Sequence, residues 1–446
     1  DRPQPPRARV RSHPLTYAGE DSEKKRSRLG QDLEAKGLDA AFLSAPDSIA
    51  WLLNIRGGDV PHVPLALSFA VLYRGGAVDW FVDPEKLPND ESLGLGDGIK
   101  IHSPAHLEEA VSSLKAKRIG IDPSSIPEWI RTRMENAGVE IVRISDPCLL
   151  PKACKNAIER DGTRAAHRRD GLALTRFLCW LDHEVTRGRQ LTELDLVGKL
   201  QEFRQAGSNF RDLSFETIAG SGPNGAIVHY RVTEETNREL SPGDLFLLDS
   251  GAQYLDGTTD VTRTIAIGDV GGEEKRAFTL VLKGHIALAR ARFPKGTTGS
   301  QLDSLARYPL WLEGMDFDHG TGHGVGSYLS VHEGPQRISK IPNSVALEPG
   351  MILSNEPGYY KNGRFGIRIE NLVLVKDEGE SPDGRGMRAF ETLTLAPIDL
   401  RLVITDLLSE EERNWVNSYH AQVRESHLPA LDAEEKDWLR QVTAPL

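Results

Sequence analysis

Between residues 22 and 36 apolar positions recur at helical spacing inside a charged stretch, and between 39 and 43 they become nearly continuous. The first pattern predicts an amphipathic helix and the second a short buried strand. Further apolar runs of strand length occupy 49–55, 66–73 and 78–82. A helix over 104–117, a strand over 118–121, a helix over 126–137 and a strand over 139–144 complete an alternation typical of an α/β unit. Residues 1–20 are rich in Pro and Arg, show no period and read as a linker.

The segment from Asp146-Pro147 to Pro151 marks a boundary. Beyond it, 155–188 reads as one long helix with Gly171 as a weak point, and Thr192 with Asp195 forms a capping box for the next helix. A strand follows at 215–219. Residues 245–251 and 260–264 read as the two strands of a hairpin, and helices are predicted over 273–293 and 300–314. Two helices, opened by Ser409 with Glu412 and by Asp432 with Glu435, close the chain. Helices followed by a strand hairpin occur twice, suggesting a duplicated half, although no sequence repeat is visible. The organisation expected is a linker over 1–20, an α/β domain over 21–150, a second domain of mixed α/β and α+β character over 151–397, and its helical extension over 398–446.

The hairpin carries the first chemistry. The run Leu245-Phe246-Leu247-Leu248 ends in Asp249, and Asp260 opens the return strand eleven positions later. A carboxylate directly after such a run is costly to bury unless it is paired or binds a cation. On this stretch alone, two polar residues at a strand end fit as well as a metal site. Gly220-Ser221-Gly222-Pro223-Asn224-Gly225 matches the spacing of a dinucleotide fingerprint, but Ala226-Ile227-Val228-His229-Tyr230 follows as a β-type run where a helix is required, so a nucleotide site is rejected.

Composition narrows the class. Of 446 residues, 39% are hydrophobic and 27% charged, as in ordinary globular domains, and the net charge of −11 disfavours nucleic acid or an anionic membrane as partner. The longest apolar run, 63–73, is too short to span a bilayer. No signal-peptide pattern opens the chain, and Cys148, Cys154 and Cys179 lack metal-type spacing, so a cytoplasmic location is expected. The chain does not begin with Met and reads as a processed or truncated form.

Three further stretches change the odds at the hairpin. His319, His323 and His332 fall within fourteen residues, in a Gly-rich loop or bent strand. Glu356 ends the β-run 351–354, and Pro357 holds it extended. Arg368 and Glu370 stand two apart, on one face of a strand; taken alone they read as a surface salt bridge. Asp249, Asp260, His323, Glu356 and Glu370 together give four carboxylates and one imidazole. Four carboxylates converging without cations would repel and hold protons, whereas two divalent metals resolve the repulsion and supply a hydroxide near neutral pH. The oxygen-rich set suits Mn²⁺ best, with Zn²⁺, Co²⁺ or Fe²⁺ as alternatives.

The order Asp, Asp, His, Glu, Glu resembles the metallopeptidases of the pita-bread fold. Within them the chain is most similar to the Xaa-Pro aminopeptidases (aminopeptidase P) of the long, three-domain type. The matching text is Gly222 to Tyr230, Asp249 to Tyr254, Asp256 to Thr264, His319 to Gly326, Val331 to Pro335 and Glu356 to Tyr360, with Ala50 to Gly57 in the preceding domain. The resemblance implies a creatinase-like α/β domain followed by a pita-bread catalytic domain, and a dinuclear exopeptidase that cuts after an N-terminal residue preceding proline. It implies that Asp249 chelates one metal, Asp260 and Glu370 bridge, and His323 and Glu356 hold the other, with Glu356 also accepting the proton of the attacking water. His229 and His332 would polarise the scissile carbonyl or protonate the leaving nitrogen, and His319, Tyr360 and Arg368 would line or brace the proline pocket. A homodimer is implied. Two departures are Arg231, where relatives often carry a small residue and then Pro, and the lack of the additional upstream domain. The competing readings are a prolidase acting on Xaa-Pro dipeptides, a metal-free peptide-binding module, and an amidinohydrolase on the same fold.

Overall fold

The computed structural model describes residues 4–88 and 93–446, and the chain divides into two compact units, 1–159 and 160–446. In the first unit, strands β1 (Ala40–Leu43), β2 (Phe69–Tyr73), β3 (Val78–Phe81), β4 (Ile99–His102), β5 (Arg118–Ile121) and β6 (Glu140–Arg143) form one sheet in the order β4-β3-β2-β1-β5-β6. The pairs β1–β5, β5–β6 and β3–β4 are parallel, and a helix crosses over between β5 and β6. The helices of this unit are α1 (Ser22–Ala35), which precedes β1, α2 (Pro46–Leu53), α3 (Leu107–Ser113) and α4 (Glu128–Ala137). Phe42, Val71, Phe81, Ile119 and Met134 are among the buried residues that pack together in this unit.

Two local expectations fail here. The run 49–55 is not a strand: Ser48 to Leu53 are buried on every side of α2, which has Pro46 in its first turn and ends at Asn54 in the left-handed region (φ 52°). A wholly apolar run of this length has no period to distinguish helix from strand, and Pro46 was the overlooked signal. The stretch read as linker is also folded in part. Arg11–Ser12 pairs with Ile55–Arg56, and Val10 and His13 are buried.

In the second unit, α5 (Ala157–Thr186) runs unbroken through Gly171, where a Cβ would lie 2.1 Å from the Leu395 carbonyl oxygen; the glycine serves close packing, not a kink. Helix α6 (Glu193–Gln205) has the expected capping box of Thr192 and Asp195. Strands β7 (Ile218–Ser221), β8 (Leu245–Ser250) and β9 (Val261–Ala266) form an antiparallel sheet with β8 central. Helices α7 (Gly272–Ala289) and α8 (Gly299–Trp311) follow.

A second sheet is built from β10 (Arg292–Pro294), β11 (Gly322–Gly324), β12 (Glu333–Ile338), β13 (Ile352–Asn355), β16 (Asn371–Glu380) and β17 (Gly386–Thr392), in the order β10-β17-β16-β13-β11-β12. Strands β14 (Gly358–Lys361) and β15 (Phe365–Arg368) pair separately as a hairpin. Helices α9 (Glu410–His427) and α10 (Ala433–Val442) close the unit, both with complete capping boxes. Phe177, Phe246, Val281, Ile367 and Tyr419 share one core that joins these layers.

The glycine run 220–225 opens no α-helix. Gly222–Ala226 is a 3₁₀ turn, and residues 227–230 continue as a turn where β structure was expected. Backbone sterics explain the composition: a Cβ on Gly366 of β15 would lie 1.6 Å from the Gly225 carbonyl oxygen. The glycines let two backbones touch.

Candidate active site

The β8–β9 hairpin returns with Asp249 opposite Thr262 and Ser250 opposite Val261, so Asp260, just before β9, lies near Asp249. Glu356 follows β13, and its backbone N–H donates to the Thr321 carbonyl (2.9 Å). His323 sits in β11. Arg368 and Glu370 do not share one strand. Arg368 ends β15, Asn371 begins β16 in another sheet, and Glu370 lies in the crossing between them, its N–H bound to the Thr262 carbonyl (3.1 Å). Nor are they a surface pair: both are almost wholly buried.

All ten residues expected in the site, namely His229, Asp249, Asp260, His319, His323, His332, Glu356, Tyr360, Arg368 and Glu370, stand in or directly beside one cavity of about 540 Å³. Tyr360 reaches it through Arg368, whose guanidinium donates to the Tyr360 hydroxyl (2.6 Å), while that hydroxyl lies 2.8 Å from His319 Nε2. Apolar side chains of Phe215, Ile218, Val228 and Ile341 complete much of the wall.

Asp260, His323 and Glu370 each offer one ligand atom, all within 4.8 Å of one another. His323 Nε2 is 3.5 Å from both Asp260 Oδ2 and Glu356 Oε1. His323 Nδ1 faces its neighbour's carbonyl, Gly324 O, at 3.0 Å; the tautomer that donates there leaves Nε2 as a bare acceptor among carboxylates. Asp249 Oδ2 accepts from Arg368 Nη2 (2.6 Å), whereas Asp249 Oδ1 and Glu370 Oε1 are buried without a hydrogen-bond partner.

Electrostatics point the same way. Burial, with Asp249 and Glu356 beside it, pushes the Asp260 carboxyl well above its ordinary range, and burial with Asp260 and Glu356 nearby does so for Glu370. Glu356 stays below the ordinary range despite burial, because His323, His319 and Arg368 favour its charge. Loss of solvent lowers His319 and His332, and for His332 the perpendicular His323 ring 4.2 Å away adds to the effect. The Tyr360 hydroxyl is pushed up to about 12 by burial. Two buried carboxyls whose charge is disfavoured, two orphaned carboxylate oxygens and an imidazole turned to accept form a donor set that fits divalent cations.

Sequence reasoning missed the residues that hold these groups in place. Thr262 is fully buried, donates to Glu370 Oε2 (2.8 Å) and accepts from Arg368 Nε (3.2 Å). Its position two after Asp260 on a strand was a usable signal. Ser354 donates to Glu356 Oε1 (2.9 Å) while accepting from the His323 N–H (2.9 Å). Arg263, buried at 2% exposure, donates to the carbonyls of Glu370 (2.7 Å), Pro397 (3.0 Å) and Ala396 (2.9 Å) and to the Tyr419 hydroxyl (2.8 Å). The closing helix α9 thus braces the backbone of Glu370, a role not anticipated for it.

Comparison with known proteins gives a consistent result. Residues 161–377 match the profile of metallopeptidase family M24, residues 1–159 that of the creatinase/prolidase N-terminal domain, and residues 386–446 that of the C-terminal region of the M24 peptidases. The whole chain is 42% identical to aminopeptidase P2 of Arabidopsis thaliana, covering 67% of that protein. It is 41% identical to a probable Xaa-Pro aminopeptidase P of Talaromyces stipitatus, covering 70%. Among solved structures, an X-prolyl aminopeptidase of Caenorhabditis elegans, described as a cytosolic enzyme with a di-nuclear active site, superposes with a TM-score of 0.93 at 37% identity over the whole of this chain and 74% of that one. The chain therefore spans roughly two thirds to three quarters of these relatives.

Proposed function

We propose, from the premise that this chain belongs to metallopeptidase family M24, that it removes the N-terminal residue from peptides with proline in second position. Its fold is a creatinase-like α/β domain followed by a pita-bread catalytic domain, and it is a metalloaminopeptidase. The observation that carries the substrate assignment is the convergence of Asp249, Asp260, His323, Glu356 and Glu370 on one cavity, in a chain 42% identical along its whole length to an aminopeptidase P.

Those five residues are assigned as holders of two divalent cations, with Mn²⁺ ahead of Zn²⁺ and Co²⁺ for an oxygen-rich set with one imidazole. When bound, the cations neutralise the clustered carboxylates and supply Lewis acidity at the scissile carbonyl and the attacking water. Glu356, held ionised and aimed by Ser354, accepts the proton of that water. His332, neutral near pH 7, donates to the carbonyl oxygen, and His229 on the cavity wall serves the carbonyl or the departing proline nitrogen, which needs a proton because it leaves as a secondary amine. Proline after the scissile bond offers no N–H, so its pocket needs apolar walls and ring contacts more than acceptors. Phe215, Ile218, Val228 and Ile341, with the His319–Tyr360 pair, suit that need.

Arg368 bears on the prolidase alternative. A dipeptidase must grip a free carboxylate beside the proline pocket, but Arg368 is already committed to Asp249, Tyr360 and Thr262. That commitment takes Arg368 out of the role of such a grip. The test is product analysis with Mn²⁺: Xaa-Pro-Xaa peptides should be cleaved with higher kcat/KM than matching Xaa-Pro dipeptides, and Xaa-Ala peptides poorly. Cleavage of dipeptides with tripeptides left intact would move the assignment to prolidase. Absence of bound metal in purified protein would favour the peptide-binding reading.

A cytoplasmic location is part of the proposal, supported by the description of the Caenorhabditis elegans X-prolyl aminopeptidase as a cytosolic enzyme. So is a homodimer with much of its contact in the C-terminal region. Sedimentation at micromolar concentration showing a monomer would remove the dimer.

A further inference from the structure

Among the residues lining the cavity, two are permanent cations, Arg368 and Arg337. They are in opposite situations. Arg368 is buried, and its guanidinium is committed to Asp249, Tyr360 and Thr262. Arg337 lies on β12 and is exposed at the cavity wall; among the described residues its guanidinium makes one hydrogen bond, a long one (3.3 Å) to the Pro342 carbonyl, and no ion pair. A guanidinium has five donors in a planar fork that matches a carboxylate. Here nearly all of that capacity is unused.

The register places it. Arg337 is the direct cross-strand partner of His323 in the antiparallel β11–β12 pair. Opposed residues in such a pair send their side chains to the same face, with Cα atoms roughly 4.5–5.5 Å apart. The Arg337 side chain therefore leaves the sheet on the side of the His323 ring and, being exposed, ends nearer the mouth than the buried carboxylates do. Ser339 and Ile341, next on that face, line the same wall.

A peptide bound for removal of its first residue has its ammonium end inside and the remainder leading out. In an extended Xaa-Pro-Xaa peptide, a carboxylate one residue beyond proline lies about 7 Å from the scissile carbonyl. That is within arginine reach of a position paired with a residue on the cavity floor. We propose that Arg337 is a specificity residue that binds a carboxylate one residue beyond the proline, either the C-terminal carboxylate of a tripeptide or the side chain of Asp or Glu in a longer peptide. The proposal rests on the Xaa-Pro aminopeptidase reading above.

The experiment compares kcat/KM for Xaa-Pro-Ala with a free carboxylate against its C-terminal amide, and for amide-capped Xaa-Pro-Glu against Xaa-Pro-Gln, in the wild type, Arg337→Gln and Arg337→Glu. At an exposed site the wild type should prefer the acidic member by about 5- to 10-fold, carried in KM, and the preference should shrink with added salt. Arg337→Gln should abolish the preference and Arg337→Glu reverse it, with kcat on the uncharged peptides unchanged. The first substrate pair reads the terminal carboxylate and the second reads the side chain. Equal rates on acid and amide in the wild type, or a preference that survives Arg337→Gln, would overturn the inference while leaving the aminopeptidase assignment standing. No cleavage of any Xaa-Pro peptide by the wild type would overturn both.

Discussion

Replacing Thr262 by Val tests whether the site is held by its outer hydrogen bonds. The change is nearly isosteric and removes one hydroxyl, the donor to Glu370 Oε2 at 2.8 Å and the acceptor from Arg368 Nε at 3.2 Å. Thr262 is fully buried, so no water replaces the lost partner. A hydrogen bond to a charged group contributes roughly 1.5–3 kcal/mol, and loss of such a partner behind a metal ligand typically costs about 10- to 100-fold in affinity. Titration calorimetry of chelator-stripped protein with Mn²⁺ should therefore show affinity weakened by about 10- to 100-fold. The Mn²⁺ concentration giving half-maximal activity should move by the same factor, while kcat at saturating Mn²⁺ falls much less. Unchanged affinity would refute the idea that Thr262 positions Glu370. Intact affinity with collapsed kcat would assign the hydroxyl to the reaction and not to the ligand.

Three further outcomes follow from the geometry. Asp260→Ala should abolish activity and lower bound metal well below wild type, read by elemental analysis; normal metal content with normal turnover would remove Asp260 from the ligand set. His332→Ala should keep its metal but lose about 10²-fold or more in kcat, the range for a missing acid–base or oxyanion group; loss of metal would make His332 a ligand. His420 is buried, accepts from the Ile398 N–H and has a pKa near 3, lowered by burial and then by Arg263 and Arg424. The unfolded chain therefore binds the proton first: stability is complete above about pH 6.5 and is lost as pH falls toward 3, by about 2 kcal/mol at pH 5 from this group alone. His420→Gln should flatten the pH 5–8 stability profile by that amount in urea titrations, and an unchanged profile would count against it.

Much of this was readable in residue order, and each failure has a physical cause. Capping boxes such as Thr192–Asp195 and Ser409–Glu412 are local, since each is satisfied within one turn, so sequence alone exposes them. The hairpin that brings Asp249 and Asp260 together is nearly as local. The run 49–55 failed because a helix buried on all sides and a buried strand share one composition. Arg368 and Glu370 were placed on one strand because two-residue spacing is silent about a chain leaving one sheet for another between them. Arg263 was invisible for a different reason: most of its acceptors, the carbonyls of Glu370, Ala396 and Pro397 among them, are backbone atoms that any residue supplies.

The Arg263 clamp also constrains how this chain could be divided in evolution or by a protease. Every assigned metal ligand lies before residue 371, so a splice form or nicked product ending near residue 395 would carry the complete recognition text of the family. It would lack the carbonyls of Ala396 and Pro397 and the Tyr419 hydroxyl, leaving a buried guanidinium short of partners directly behind Glu370. A hydrogen bond from a charged group contributes roughly 1.5–3 kcal/mol, so losing several at one buried guanidinium is a large share of a domain's stability. The tail and the ligands are therefore one structural unit: removing the segment after residue 395 takes partners from the guanidinium that holds the Glu370 carbonyl without touching any assigned ligand.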